Sequence, residues 1–275
     1  MISVLILTLN EEQNLPACLE SVRWSDDIVV LDSFSADRTV EIARAAGARV
    51  IQRKFDNWAA HQNWAMEHIK FKHPWVFYLD ADERMTDELR QEISTIAVDP
   101  EENRVAFYCG RRNFLMGKWL KHSFRSDAIM RFFKPTHVRF ERLVNPTPVI
   151  AGPHGYLRSQ FLHYNFSKGL TEWIAKHNQY ALFEAMEGVK ILRGEAERPP
   201  TLFSKDKTLR RRALKYLAFR FPFRSSLRFL HLYVWRLGLL DGWAGLTYCR
   251  LMSFYEYMIS IKMKELQRRD KGLEV

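Results

Sequence analysis

Residues 75–83 read Trp-Val-Phe-Tyr-Leu-Asp-Ala-Asp-Glu. Five apolar side chains in succession make a strand buried on both faces, the kind found in a parallel sheet covered by helices. The strand stops at a group of carboxylates, Asp80, Asp82 and Glu83. The same pattern recurs upstream. Ile2–Leu9 is an apolar run ended by Asn10-Glu11-Glu12, and Ile28–Leu31 is a short β-branched run stopped by Asp32-Ser33.

Helical segments separate these strands. Asn14-Leu15-Pro16 supplies a cap and a first-turn proline, with Cys18, Leu19 and Val22 at helical spacing. Asp37–Ala46 reads as a helix closed by Gly47, Arg49–Gln52 as a third strand, Asn57–Ile69 as a helix, and Thr86–Ile96 as another. Short buried strands alternating with helices predict an α/β fold around a mostly parallel sheet. Such sheets bind ligands at the carboxyl ends of their strands. Asn10, Asp32 and Asp80–Asp82 all fall at such ends, so three polar clusters converge on one edge.

Asp80 and Asp82 are two apart, and on a strand that places both on one side. A pair of carboxylates there is a hard-oxygen site suited to Mg²⁺ or Mn²⁺, ions that also hold phosphate oxygens. No Walker loop and no GxGxxG motif is present. Phosphate charge would therefore be met by metal and basic side chains. Asp32 reads either as a contact to a base or ribose or as the cap of the turn Asp32–Ser35. Glu11 reads as a pocket residue or as a first-turn acid favoured by a helix dipole.

Beyond residue 100 the pattern changes. Val105–His163 looks like mixed strands and loops, and Leu170–Glu187 like a helix. Glu195–Pro200 is a polar hinge with two prolines. Leu209–Phe219 and Leu227–Glu265 read as helices interrupted at Pro222 and near Gly238–Gly245. Residues 201–275 hold 16 Lys+Arg against 6 Asp+Glu, which accounts for the whole formal net charge of +10. The basic residues alternate with long apolar stretches. That excludes a nucleic-acid surface and leaves an anionic membrane surface, a helical unit packed on the sheet domain, or both.

Three scattered cysteines without CxxC spacing exclude a disulfide scaffold or a cysteine zinc site. The start, MISVLILTLNEE, has no basic region before its apolar run, so no signal peptide is expected. No uncharged apolar stretch is long enough to span a bilayer. The expected location is cytoplasmic.

TLNEE at 8–12, DSFSADRT at 32–39 and DADE at 80–83 resemble the bacterial inverting glycosyltransferases of family 2. RRNFLMGKWL at 111–120, MRFFK at 130–134, HYNFSKGLTEWIAKHNQYALFEA at 163–185 and LGLLDGWAGLTY at 237–248 resemble the subgroup that builds lipopolysaccharide cores and other envelope polysaccharides. The resemblance implies a GT-A fold, a Rossmann-like, mostly parallel sheet flanked by helices with a C-terminal helical subdomain. It implies a nucleotide-diphosphate sugar donor, a UDP-sugar by default, and Mg²⁺ or Mn²⁺. A hexosyl or related group would pass to a hydroxyl of a glycolipid or oligosaccharide. The implied organisation is a catalytic domain over 1–195, with a nucleotide-sugar half (1–100) and an acceptor half (101–195), then a basic, aromatic helical subdomain over 196–275. The protein would sit peripherally on the inner face of the cytoplasmic membrane.

By position, the resemblance implies that Thr8, Asn10 and Glu11 line the nucleotide pocket and that Asp32 recognises the base. Asp80 would contact the ribose or the metal-bound phosphates, and Asp82 would be the direct metal ligand. Asn63 would lie near the diphosphate and Arg131 on the acceptor side. Two positions depart from the family pattern. Gln62 stands where relatives often have a basic residue. Pro146, in Leu143-Val144-Asn145-Pro146, stands where relatives have the Glu that is a candidate general base. Glu141, Asp127 and His154 are the nearby substitutes, with Glu141 first because it is the closest carboxylate; it reads equally as a surface partner for Arg139 or Arg142. A non-catalytic membrane- or polyanion-binding protein on the same fold is the other reading, and only Pro146 favours it.

Overall fold

The structure, a computed structural model, describes residues 2–125, 127–141, 146–195, 203, 210, 213, 217, 219, 221 and 223–274. The segments Leu143-Val144-Asn145 and 196–200, and most of the helix expected over 209–219, lie outside the described residues. The chain divides into two compact units: Met1–Phe114 with Ser126–Ser167, and Leu115–Arg125 with Lys168–Val275.

The first unit begins β1 (Ile2–Thr8), α1 (Leu15–Val22), β2 (Ile28–Asp32), α2 (Thr39–Ala45), β3 (Arg49–Gln52), α3 (Trp58–His68) and β4 (Trp75–Asp80). It continues with β5 (Glu83–Arg84), α4 (Asp87–Val98), β6 (Ala106–Leu115), β8 (Ile129–Phe133), β9 (Val138–Glu141), β10 (Thr147–Ile150) and β11 (His154–His163); the short β7 (Lys118–Trp119) falls in the second unit. The sheet order is β3-β2-β1-β4-β8-β6-β11-β5. β3, β2, β1 and β4 run parallel, as do β6 and β11. β8 is inserted antiparallel between β4 and β6.

The apolar strands are double-faced. Ile2, Val4 and Ile6 of β1 join Phe77 and Leu79 of β4 in a core with Leu15, Leu19, Val22, Leu89 and Ile93 from α1 and α4. Leu5 and Leu7 join Val76 and Tyr78 in a second core with Ala59 and Ala65 of α3. The two-residue period of a strand sends alternate side chains to opposite layers, so both layers demand apolar residues. Caps set the helix starts: Asn57 accepts a hydrogen bond from the Ala60 N–H at 2.9 Å, and Thr86 from the Leu89 N–H at 3.2 Å.

In the second unit, α5 (Gly169–Arg193) packs through Ala181, Ala185, Gly188 and Val189 against Ile259 and Met263 of the long C-terminal helix Gly242–Asp270. A Cβ on Gly188 would lie 2.7 Å from the Phe219 ring, so only glycine admits this approach. α5, expected in the acceptor half over 101–195, lies in the compact unit that also holds the C-terminal helix. A short α6 (Arg224–Leu230) leads through a π turn (His231–Trp235) and a 3-10 turn (Gly238–Asp241) into the long helix, α7 (Gly242–Asp270).

The LGLLDGWAGLTY segment owes its residues to this turn. Asp241 is buried and accepts from the His122 N–H, the Ser123 N–H (2.7 Å) and the Ser123 hydroxyl (2.7 Å). A Cβ on Gly245 would stand 2.3 Å from the Gly238 carbonyl oxygen.

Candidate active site

The parallel strands bring three chain segments to one edge. Thr8 at the end of β1 is in register with Asp32 at the end of β2, and Leu7 with Asp80 at the end of β4. Neighbouring strands lie roughly 5 Å apart, so the expected convergence is a property of the sheet itself.

TLNEE and DSFSADRT interlock. Asn10 has a left-handed backbone, φ 55°, a conformation that asparagine tolerates better than most residues. Its N–H donates to Ser35 Oγ at 2.8 Å and its Oδ1 accepts from the Ala36 N–H at 2.8 Å. The Glu11 N–H donates to Thr39 Oγ1 at 2.7 Å, and Glu11 Oε2 accepts from Asn14 Nδ2 at 2.8 Å. Asp32 is wholly buried. It accepts from the Thr8 hydroxyl (3.0 Å), the Ser35 N–H (2.9 Å), the Ser35 hydroxyl and Gln52 Nε2 (3.0 Å). Burial alone would raise its carboxyl pKa, but the donors from Ser35, Gln52 and Thr8 outweigh it and hold the group below its ordinary value. Asp32 is thus an ionised hub that shapes the β1 and β2 loops.

Asp80 and Asp82 do not share a strand. β4 ends at Asp80, Ala81 and Asp82 form a turn, and the chain re-enters the sheet at Glu83. The alternation argument therefore does not apply. The Asp80 carboxylate accepts from the Tyr78 hydroxyl and from Arg131 Nη2, each at 2.6 Å. Asp82 Oδ2 lies 3.5 Å from His163 Nε2, and His163 Nδ1 lies 2.8 Å from Asn113 Oδ1. Both aspartates keep solvent access, 35% and 28% of their side-chain surface.

Arg131, expected on the acceptor side, extends from β8 to the Asp80 carboxylate. It is buried, bonded to Asp80 and Glu83, with its guanidinium carbon 4.2 Å from the centroid of the Tyr78 ring. Glu83 is also fully buried; one oxygen takes Arg131 and the other the Asp80 N–H at 3.0 Å. Burial pushes its pKa up to about 7, opposed by Arg131 and reinforced by the neighbouring Asp80. Gln62, at the first departure from the family pattern, donates to the Tyr78 hydroxyl at 3.3 Å and leaves its buried Oε1 without a partner. Asn63 uses both ends of its amide on the Phe140 backbone, at 2.8 and 2.7 Å, and so ties α3 to β9.

The substitutes for the missing glutamate separate by position. β11 runs parallel to β6, and its His163 end lies at the edge of the sheet that carries Asp80 and Asp82. His154 starts the same strand nine residues earlier, roughly 30 Å away at the opposite edge. That distance removes His154 as a base. Asp127 is exposed and enters β8 four residues before Arg131, on the Asp80 side. Glu141 is exposed at the end of β9, opposite Thr147.

Glu83, Tyr78 and the loop residues Ser35 and Thr39 escaped the sequence reading. Tyr78 was findable, because it sits two before Asp80 and shares its face of β4. Glu83 was not, because burial of a carboxylate is invisible in a surface-like DADE string.

Among the described residues, no three His, Cys, Asp or Glu side chains gather to enclose a metal ion. Two accessible carboxylates at a strand end still suit a hard divalent cation that draws its other ligands from phosphate and water.

Comparison with known proteins agrees with this architecture. The profile of the glycosyl transferase family 2 matches residues 3–161. A lipopolysaccharide core biosynthesis glycosyltransferase of Rhizobium meliloti is 26% identical over 267 residues, covering 92% of this chain and 90% of the relative. An uncharacterized glycosyltransferase of Rickettsia typhi is 31% identical over 135 residues, 49% of this chain and 43% of the relative, so the match spans under half of that protein. A mannosyltransferase from Pyrobaculum calidifontis, solved with GDP-Man and Mn²⁺, superimposes with a TM-score of 0.53 at 15% identity, over 95% of this chain and 86% of that one. The chain belongs to glycosyl transferase family 2 and is a glycosyltransferase with the GT-A fold.

Proposed function

We propose that the protein transfers a sugar, with inversion, from a nucleotide-diphosphate sugar to a hydroxyl of a lipid-linked or oligosaccharide acceptor of the cell envelope. The observation that carries this is the convergence of Thr8, Asp32, Asp80 and Asp82 at the carboxyl ends of β1, β2 and β4. The likeness to the Rhizobium lipopolysaccharide core enzyme over nearly the full length supports the acceptor class. A UDP-sugar is the first donor to test. The non-catalytic reading has nothing left in its favour beyond Pro146.

Thr8, Asn10 and Glu11 line the nucleotide pocket, and Asp32 sets their positions from beneath through Thr8 and Ser35. Asp82, with Asp80, holds Mg²⁺ or Mn²⁺, which when bound supplies charge neutralisation for the diphosphate leaving group. Arg131 fixes Asp80 from behind. Asn63 holds β9 in place, so its effect on the donor is indirect. Glu141 takes the acceptor proton, with Asp127 as the alternative; Asp127 enters β8 on the Asp80 side. The protein works peripherally on the cytoplasmic face of the membrane. No helix among the described residues is long and apolar enough to cross it.

The test is a panel of nucleotide-sugars with and without Mn²⁺ or Mg²⁺, read by thermal unfolding and by release of the nucleotide diphosphate. A ligand that binds the folded state raises the melting temperature. One donor should stabilise the protein only with metal present. No stabilisation and no turnover with any donor would sink the proposal.

A further inference from the structure

The second unit turns one apolar helical face to solvent. Phe223, Leu227, Leu230 and Val234 recur at intervals of four, three and four residues, the spacing of one helical face. Such a stripe ordinarily faces a core. Here all four are exposed, while Leu232 is buried. The following turn adds Leu237, Leu239, Leu240 and two tryptophans, Trp235 at 83% and Trp243 at 69% exposure. A contiguous apolar surface of this kind marks an interaction site.

We propose that residues 230–243, the turn between α6 and α7, form an insertion tip that enters the headgroup region of an anionic phospholipid bilayer. The inference rests on the peripheral-membrane part of the proposed function and narrows it from the whole tail to one turn. Charge identifies the occupant. Arg224 is covered and paired with Glu256; between residues 225 and 255 the chain has Arg228, Arg236 and Arg250 and a single acid, Asp241. Asp241 is buried and committed to His122 and Ser123, so the tip presents no exposed carboxylate. Lys118 extends the basic rim: its ammonium lies 2.9 Å from where a Gly242 Cβ would stand. Lys121 lies over the Trp119 ring at 5.9 Å.

Tryptophans among aliphatic side chains with a basic surround match a lipid interface, where indole sits at headgroup depth and Lys and Arg meet anionic lipid. A second copy would bring like charges together. The tip is also preorganised: the Asp241 bonds and the Gly238–Gly245 contact hold it, so insertion need not order a floppy loop.

The test uses the full chain. Sedimentation with vesicles of phosphatidylcholine containing about one third phosphatidylglycerol is compared with phosphatidylcholine alone, and brominated lipid reports indole insertion by quenching. Wild type should bind the anionic vesicles and be quenched. The double variant Trp235→Gln, Trp243→Gln should lose about tenfold or more in partitioning and lose the quenching. Its melting temperature and donor stabilisation should be unchanged, because both indoles are solvent-exposed. If the double variant binds and is quenched like wild type, the tip is wrong and the wider membrane reading stands. If wild type ignores anionic vesicles at low salt, both fall while the transfer reaction is untouched. A concentration-dependent dimer abolished by the same variant would assign the face to a second copy and overturn the proposal.

Discussion

One guanidinium nitrogen of Arg131 lies 2.6 Å from Glu83 Oε1, with both side chains shut away from solvent. The same nitrogen lies 2.6 Å from Asp80 Oδ2, so a buried cation joins the strand-end aspartate to a buried glutamate. Removing one partner of a buried ion pair strands the other. Arg131→Met should therefore cost about 3–5 kcal/mol in urea unfolding. Adding Glu83→Gln should recover part of that loss. A cost below about 1 kcal/mol would show the pair to be dispensable.

Glu83 also predicts a pH dependence. Its folded pKa is raised from 4.5 to about 7, so the folded protein keeps a proton that the unfolded chain has released between those values. That stabilisation is full below pH 4.5 and is lost as pH rises to about 7. Subtracting the stability curve of Glu83→Gln from that of wild type should leave a decline over this window. A flat difference would mean the Arg131 charge keeps Glu83 ionised throughout.

Asp82→Ala should abolish transfer and the metal-dependent part of nucleotide-sugar binding while leaving the melting temperature near wild type. Asp82 lies on the turn after β4 with 28% of its side-chain surface open to solvent, so its loss should fall on function before stability. Transfer at wild-type rate would remove Asp82 as a metal ligand.

For the base, Glu141→Gln should cut turnover by roughly 10²-fold or more, the usual scale for a general base, with donor affinity unchanged. Asp127→Asn is the paired experiment. An unimpaired Glu141→Gln with a crippled Asp127→Asn would move the assignment to the loop entering β8.

Asp241→Ala would leave two backbone N–H groups and a hydroxyl without their acceptor. Each unsatisfied buried donor costs about 1–3 kcal/mol, so a loss of about 3 kcal/mol or more is expected in urea unfolding. A loss within about 0.5 kcal/mol would show that water replaces the carboxylate.

The strand-by-strand order of the first hundred residues was legible because each signal is local. Trp75–Leu79 is apolar at every position, Asn57 and Thr86 are caps, and Gly47 ends a helix with a φ of 78°. A parallel sheet then brings the ends of β1, β2 and β4 together whatever the loops do, which is why Asn10, Asp32 and Asp80–Asp82 group together from the sequence.

Tertiary structure alone decided what those side chains touch. Asp80 and Asp82 look alike in the string DADE, yet one meets Tyr78 and Arg131 and the other faces His163, because β4 ends between them. Arg131 comes from an antiparallel strand inserted some fifty residues later. His154 and His163 share a strand but sit at opposite edges of the sheet. The sequence leaves the apolar residues of the C-terminal segment open between a packed helical unit and a membrane surface, and in the fold Phe223, Leu227, Leu230 and Val234 are exposed. Local patterns encode backbone conformation, since propensity, capping and burial period act over a few residues. Partners brought together across dozens of residues depend on strand order and packing, and no short-range pattern records them.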